Sequence, residues 1–309
     1  MKIPAAIDMP YRLFRKHLPT SIYIFLKNKL GRGRCYFTMD YYFDLVGRYA
    51  HYVDVKNKTV LEIGPGNDIS TGILMVLAGA KHVFLVDRIS NNRYIEHSVD
   101  ADLGRVTALA AYIHRPGLEK TCQLAVDPLE VLDRISVVDC YFTDTDQLLQ
   151  HIGPQVKIDV ILSNTVLEHV DDLMTLFNNA HHMLTPQGVM FHYVDVSDHA
   201  YHVLHRYRKA WMLDNYLNHM EYSDRTWAYL NDRRALNMNR KTLPYYLDLC
   251  DACHFDILKI DKNILARSRQ GKFRIHPDIY KNVSEKNTSQ EICSFSLLAK
   301  KKASVGLEE

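Results

Sequence analysis

"VLEIGPGND", Val60 to Asp68, is a short apolar run with a glutamate near its end, followed by two glycines around a proline. The run is continuous rather than alternating, as expected of a parallel strand buried on both faces. Comparable runs occur at Thr59–Ile63, His82–Val86, Ile135–Val138, Ile158–Leu162 and Val189–Val194, then at His254–Ile260 and Cys293–Ala299. Between the first two, "ISTGILMVLAGA" places Ile69, Ile73, Leu74 and Leu77 on one helical stripe, with Asp68 as N-cap and Gly79 as a stop. After the fourth, "DDLMTLFNNAHHML" turns Leu173, Leu176, Phe177, Ala180 and Leu184 inward, with Asp171 or Asp172 as the cap. "TPQG" (Thr185–Gly188) then leads the chain into the fifth strand. Repeated βα units of this kind predict an α/β protein with a doubly wound, mostly parallel sheet.

Two stretches depart from the repeat. Residues 88–134 are too long for one connecting helix and predict an inserted helical pair. Residues 198–245, rich in Tyr, His, Arg and Trp, predict a helical cap between the fifth and sixth strands. Insertions beside the carboxyl ends of strands are where such sheets place substrate specificity. The domain expectation is a basic arm and lid helix over residues 1–57 and a main domain over 58–309.

Composition excludes several classes. With 47% hydrophobic and 24% charged residues, a disordered or fibrous chain is ruled out. No apolar run approaches the roughly 20 residues of a membrane span, and the N-terminus lacks the uninterrupted apolar segment of a signal peptide. Six sparse cysteines with no secretion signal point to reduced thiols and a cytoplasmic location. "CDAC" (Cys250–Cys253) has no second CxxC to complete a zinc site and reads as core. His181 and His182 suit the negative end of a helix dipole.

The charge is uneven. Residues 1–34 hold eight Lys/Arg against one acid, Asp8, and the remainder carries 30 basic against 35 acidic side chains. A basic arm on a mildly acidic body is not the footprint of a nucleic-acid enzyme. Flanked by these cations, "SIYIFL" (Ser21–Leu26) suggests peripheral contact with an anionic membrane. The plainer reading is an arm packed on the protein through Tyr11, Phe14, Tyr23 and Phe25.

In a parallel sheet, ligands sit at the carboxyl ends of the strands, where the strand order reverses. "EIGPG" leads from such an end into a helix. A dinucleotide turn needs a third glycine where Ile69 stands, and a carboxylate at Glu62 would repel a phosphate. Glu62 suits a ligand with a cationic end. Asp87, at the end of the second strand, can accept hydrogen bonds from both hydroxyls of a ribose.

These residues resemble the class I S-adenosylmethionine-dependent methyltransferases. "VLEIGPG" with Asp87 matches their first two motifs, and "IDVILSNTVLEHV" (Ile158–Val170) with "MLTPQGVMFHYVD" (Met183–Asp195) matches the fourth strand through the fifth. "FDILKIDK" and "EICSFSLLAKKK" supply the final antiparallel pair. "GVMFHYVDVSDH" is similar to bacterial small-molecule methyltransferases, some of glycan biosynthesis, and "NTVLEHV" to quinone-pathway O-methyltransferases.

The resemblance implies a Rossmann-like seven-stranded sheet with helical insertions and S-adenosyl-L-methionine as cofactor. It further implies Gly64 and Gly66 beneath the cofactor, Glu62 near its amino-acid end, Asp87 on the ribose and Arg88 beside the adenine. Asp139 or Asp144 would receive the adenine amino group, and Ser163 and Asn164 would close the site beneath the methionine portion.

The implied reaction is methyl transfer to a small-molecule, saccharide or lipid-linked acceptor, most simply at oxygen. For a hydroxyl a base must remove a proton. His169 leads, with Asp195, Asp198 and His199 converging from the fifth strand. Glu168, His169, Asp195 and His199 also permit a divalent metal as in some quinone-pathway enzymes, but Thr165 replaces one acid of that cluster. The expectation is no metal. A non-catalytic methyltransferase-like subunit and a nicotinamide-dependent oxidoreductase are the alternatives, disfavoured by the intact Glu62, Gly64, Gly66 and Asp87 and by Ile69, respectively.

Overall fold

The computed structural model describes residues 5–19, 22, 39–66, 69–88, 99–113, 127–199, 217–231, 237–264, 275–281 and 292–302. Seven strands form one sheet: β1 (Thr59–Ile63), β2 (His82–Asp87), β3 (Ile135–Asp139), β4 (Ile158–Asn164), β5 (Leu184–Asp195), β6 (Phe255–Ile264) and β7 (Ile292–Lys301). Their order is β3-β2-β1-β4-β5-β7-β6. The first five are mutually parallel, and β7 runs antiparallel to both β5 and β6. The expected architecture is therefore present, with the strand order reversing between β1 and β4.

The helices are α1 (Ala5–His17), α2 (Met39–Tyr52), α3 (Ser70–Leu77), α4 (Val99–Ile113), α5 (Pro128–Asp133), α6 (Thr145–Ile152), α7 (Leu173–Met183), α8 (Asp224–Leu230) and α9 (Leu243–Ala252). Successive strand side chains point to opposite faces, so each strand feeds two cores. Val60, Val83, Leu85, Val160 and Leu162 pack under α2, α3 and α4. Leu61, Ile63, Val86, Ile161 and Met190 pack under α7 and α9. This double coverage explains the continuous apolar runs.

Several boundaries differ from expectation. Strand β5 starts at Leu184, paired with Ile158, but the ladder then jumps to Val160 against Val189. "TPQG" is thus a bulge inside the strand rather than a turn before it. Helix α3 is buried all round, so its predicted stripe is only part of its contact surface. Asp68 lies outside the described residues. Asp172, not Asp171, caps α7 by accepting from Thr175 N at 3.0 Å. Cys250 and Cys253 are core residues, and His181 and His182 occupy the last turn of α7. The insertion at 88–134 contributes α4 and α5, which pack together with α3. The later insertion contributes α8, the start of α9 and a 3-10 turn at Asn218–Glu221.

The N-terminal segment docks differently from expectation. Met9 and Leu13 pack against Tyr222, Trp227, Leu230 and Met238, while Phe14 is 67% exposed. Residues 9, 12, 13 and 16 fall on one face of α1 by helical spacing, and Phe14 falls off it. Tyr23, Phe25 and the side chain of Tyr11 lie outside the described residues.

Candidate functional site

Parallel registry brings the strand ends to one edge: Ile63 is level with Val86 and Ser163, Asp87 with Asp139, and Asn164 with Tyr193. Above this edge lies a cleft of about 740 Å³, whose lining includes Gly64, Asp87, Arg88, Tyr141, Val166 and His169.

The turn after β1 holds Gly64 at φ +67° and Gly66 at φ +90°. Only glycine adopts such angles without strain. A Cβ on Gly64 would stand 2.5 Å from Val166 Cγ2. The side chain that excludes one here is therefore Val166, from the loop after β4, which brings the two loops into contact.

Asp87 ends β2 at the cleft. Burial raises its carboxyl pKa and the nearby charge of Asp139 adds to this, while the backbone N–H groups of Arg88 and Gly66 oppose the rise. The Gly66 amide thus ties the glycine turn to the end of β2. The Arg88 guanidinium lies 4.9 Å from the ring centroid of Tyr141, forming one wall of the cleft. Of the two acids considered after β3, neither lines the cleft. Asp139 is exposed, and Asp144 caps α6 through Gln147 N at 3.2 Å.

Glu62 lies below the turn, 1% exposed. Tyr49 Oη donates to its Oε1 at 2.8 Å, and the Thr71 hydroxyl donates to its Oε2. The carboxylate thus joins β1 to α2 and α3 and does not line the cleft. Burial and then the Glu62 charge hold the Tyr49 phenol well above its usual pKa, so it remains a donor. Ser163 is likewise buried, its hydroxyl 2.7 Å from His192 Nδ1. Burial lowers the His192 pKa to about 3, which keeps that imidazole neutral.

Asn164 shares the edge with residues that sequence reasoning did not single out. Arg48 Nη1 donates to Asn164 Oδ1 at 2.8 Å, and the same guanidinium lies 4.5 Å from the Tyr193 ring centroid. No carboxylate forms an ion pair with it among the described residues. The next residue, Thr165, has φ +54°, a strained angle for a β-branched side chain. Its amide bonds the Tyr193 carbonyl at 2.8 Å and its hydroxyl the Asn164 carbonyl at 2.7 Å. The strain sits where β4 opens into the cleft.

His169 follows in a 3-10 turn, Leu167–His169, and faces the cleft. Its Nδ1 contacts the Asn237 carbonyl oxygen. A carbonyl can only accept, so Nδ1 carries the proton and Nε2 keeps a lone pair. Burial lowers the pKa of this imidazole, against the Asn237 carbonyl and the Asp195 charge, and favours its neutral form.

Behind it, the His199 ring centroid lies 4.7 Å from that of His169. His199 Nε2 is 3.9 Å from Asp195 Oδ2 and 4.0 Å from Glu168 Oε1. Glu168 is 1% exposed, and among the described residues neither of its carboxylate oxygens receives a well-formed hydrogen bond. Burial raises its pKa well above the carboxylate range, and the Asp195 charge adds to this, against the backbone N–H groups of Glu168 and Asp195. One ligand atom each from Glu168, His169 and His199 lies within 4.8 Å of the others, a grouping that could hold a metal ion. The structure thus brings Gly64, Asp87, Arg88 and His169 to one cleft, and places Asp195 and His199 behind its rim.

A family profile described as a methyltransferase domain matches residues 36–238. The chain belongs to that family and is a class I S-adenosylmethionine-dependent methyltransferase, which leaves the non-catalytic and nicotinamide-dependent alternatives unfavoured. No functionally curated protein matches it significantly in sequence. A solved S-adenosylmethionine-dependent methyltransferase of Mesorhizobium loti is 12% identical, with 86% of this chain and 99% of that one covered and a TM-score of 0.44. The 1,6-didemethyltoxoflavin-N1-methyltransferase of Burkholderia thailandensis, solved with 1,6-didemethyltoxoflavin and S-adenosylhomocysteine, is 14% identical. That comparison covers 98% of this chain and 93% of the other, with a TM-score of 0.43.

Proposed function

We propose that this methyltransferase acts at a hydroxyl of a small-molecule, saccharide or lipid-linked acceptor, with His169 as the base. The observation that carries this reading is the His169 tautomer: Nδ1 is engaged by Asn237, which leaves Nε2 as an acceptor at the cleft wall. S-adenosylmethionine supplies an activated methyl group on a sulfonium. The protein's part is to align the acceptor with it and to take one proton. In this assignment Asp87 accepts from the ribose hydroxyls, and Arg88 with Tyr141 flanks the adenine. The Gly64–Gly66 turn lies beneath the cofactor. Arg48, held by Asn164 at the same edge, is the cation for the cofactor's carboxylate.

The direct test is isotopically labelled cofactor with glycan and lipid extracts. Label is expected in methyl ethers. Label in methylamines alone would overturn the hydroxyl assignment.

A second reading rests on Glu168, whose buried carboxylate has no good donor among the described residues and costs free energy unless neutral or matched by a cation. A divalent ion among Glu168, His169 and His199 would supply that match and polarise the acceptor oxygen. Under the base reading, turnover survives EDTA. Under the metal reading it is lost and returns with added Mg²⁺ or Mn²⁺.

The described part of the arm weakens the membrane idea. Arg12 is buried in an ion pair and Lys16 donates to the Tyr229 carbonyl, so two of the eight cations face the protein. Among the described residues no helix is long and apolar enough to cross a membrane.

A further inference from the structure

Arg12 is an unusual residue to bury, at 6% exposure on an N-terminal helix. Its guanidinium lies 5.1 Å from the Trp227 ring centroid, and Nη2 pairs with Asp198 Oδ2. Asp198, 2% exposed, also accepts from the His219 amide at 3.1 Å. A buried carboxylate is tolerated when matched in this way and is costly when its cation is removed.

Asp198 stands three residues after Asp195 and immediately before His199. The turn between them is tied at its other end by Asp195 Oδ1, which accepts from Ser197 N at 2.9 Å and from Ser197 Oγ at 2.5 Å. The turn that leads into His199 is therefore held from two sides. Asp195 anchors the start of the turn, and Arg12, reaching across 186 residues, anchors its end.

We propose that α1 is part of the catalytic module, with Arg12 as a positioning residue: by holding Asp198 it keeps His199 against Glu168 and His169. The proposal rests on the reading of His169 as the reactive end of the cleft. Without Arg12, the Asp198 anion would be left buried without this cation and would turn toward water, drawing His199 with it. Helix α1 would stay seated, because Met9 and Leu13 still pack on the Trp227 cluster and Lys16 still holds the Tyr229 carbonyl.

The test uses the full chain with its histidines isotopically labelled and the ring signals assigned from His169→Gln and His199→Gln. A nuclear Overhauser cross-peak between the two rings is expected in the wild type, from their 4.7 Å separation. Arg12→Gln should lose it and lower the melting temperature, while S-adenosylhomocysteine affinity stays near wild type. Arg12→Lys, which keeps the charge, should restore it. A cross-peak retained in Arg12→Gln overturns the proposal. If Arg12→Gln does not fold, Asp198→Ala, which removes the acceptor that Arg12 holds without leaving a buried anion, decides in the same way. A wild type that fails to bind S-adenosylhomocysteine would sink the cofactor reading, whereas the cross-peak would still judge the latch.

Discussion

Gly64→Val is expected to abolish S-adenosylhomocysteine binding and to lower the urea midpoint of unfolding. Two costs add. Gly64 sits at φ +67°, where an L-residue pays about 1–2 kcal/mol. Its Cβ would also come within 2.5 Å of Val166, in a loop packed on the core beneath it. Overpacking of that kind costs about 1–3 kcal/mol, giving about 2–5 kcal/mol in all, a large share of the usual 5–15 kcal/mol. The loss of binding follows because Val166 must shift to make room, which disturbs the contact between the β1 and β4 loops that together wall the cleft. Gly64→Ala should do the same more mildly. Wild-type affinity in a folded Gly64→Val protein would show that this loop contact does not shape the site.

His169→Ala is expected to lower kcat about 10²–10⁴-fold, the usual worth of a positioned general base, with S-adenosylhomocysteine affinity changed little. The variant removes both the Nε2 acceptor and the Nδ1–H bond to Asn237. His169→Gln separates these by restoring polar contact without a basic nitrogen, and should remain slow. If kcat and cofactor affinity fall together in both variants, the imidazole supports the loop and is not the base. Steady-state kinetics beside calorimetry distinguishes the two outcomes.

Much of the fold was legible because its signals are local. Strands β1, β2 and β4 are buried on both faces and β3 is a partly exposed edge strand, yet all four carry mostly apolar runs that end within two residues of the observed bounds. The start of β5 was misplaced because the Thr185–Gly188 bulge carries turn residues inside a ladder. The positions of Gly64 and Asp87 at the cleft followed from strand-end logic, which depends only on where a parallel strand stops.

What escaped are pairings between distant parts of the chain. Tyr49 reaches Glu62 from a helix that precedes the sheet, and Arg48 reaches Asn164 across 116 residues. His169 owes its tautomer to Asn237, 68 residues on. None leaves a periodic trace. Glu62 is conspicuous in the sequence as a carboxylate at a strand end, but its two hydroxyl partners, Tyr49 and Thr71, cannot be seen from spacing. Arg48 did leave a weak signal. It is a lone cation on the aromatic stretch "DYYFDLVGRYAHY", where a solvated helix would carry more charge.

The central claim is that the cleft beside Gly64 and Asp87 holds S-adenosylmethionine, and calorimetry of S-adenosylhomocysteine on wild type and Asp87→Ala tests it most directly. Losing the charged acceptor for the ribose hydroxyls should cost about 1.5–3 kcal/mol, a roughly ten- to hundredfold weaker affinity with unchanged 1:1 stoichiometry. Wild-type affinity in a folded Asp87→Ala protein would contradict the placement of the cofactor at this strand end.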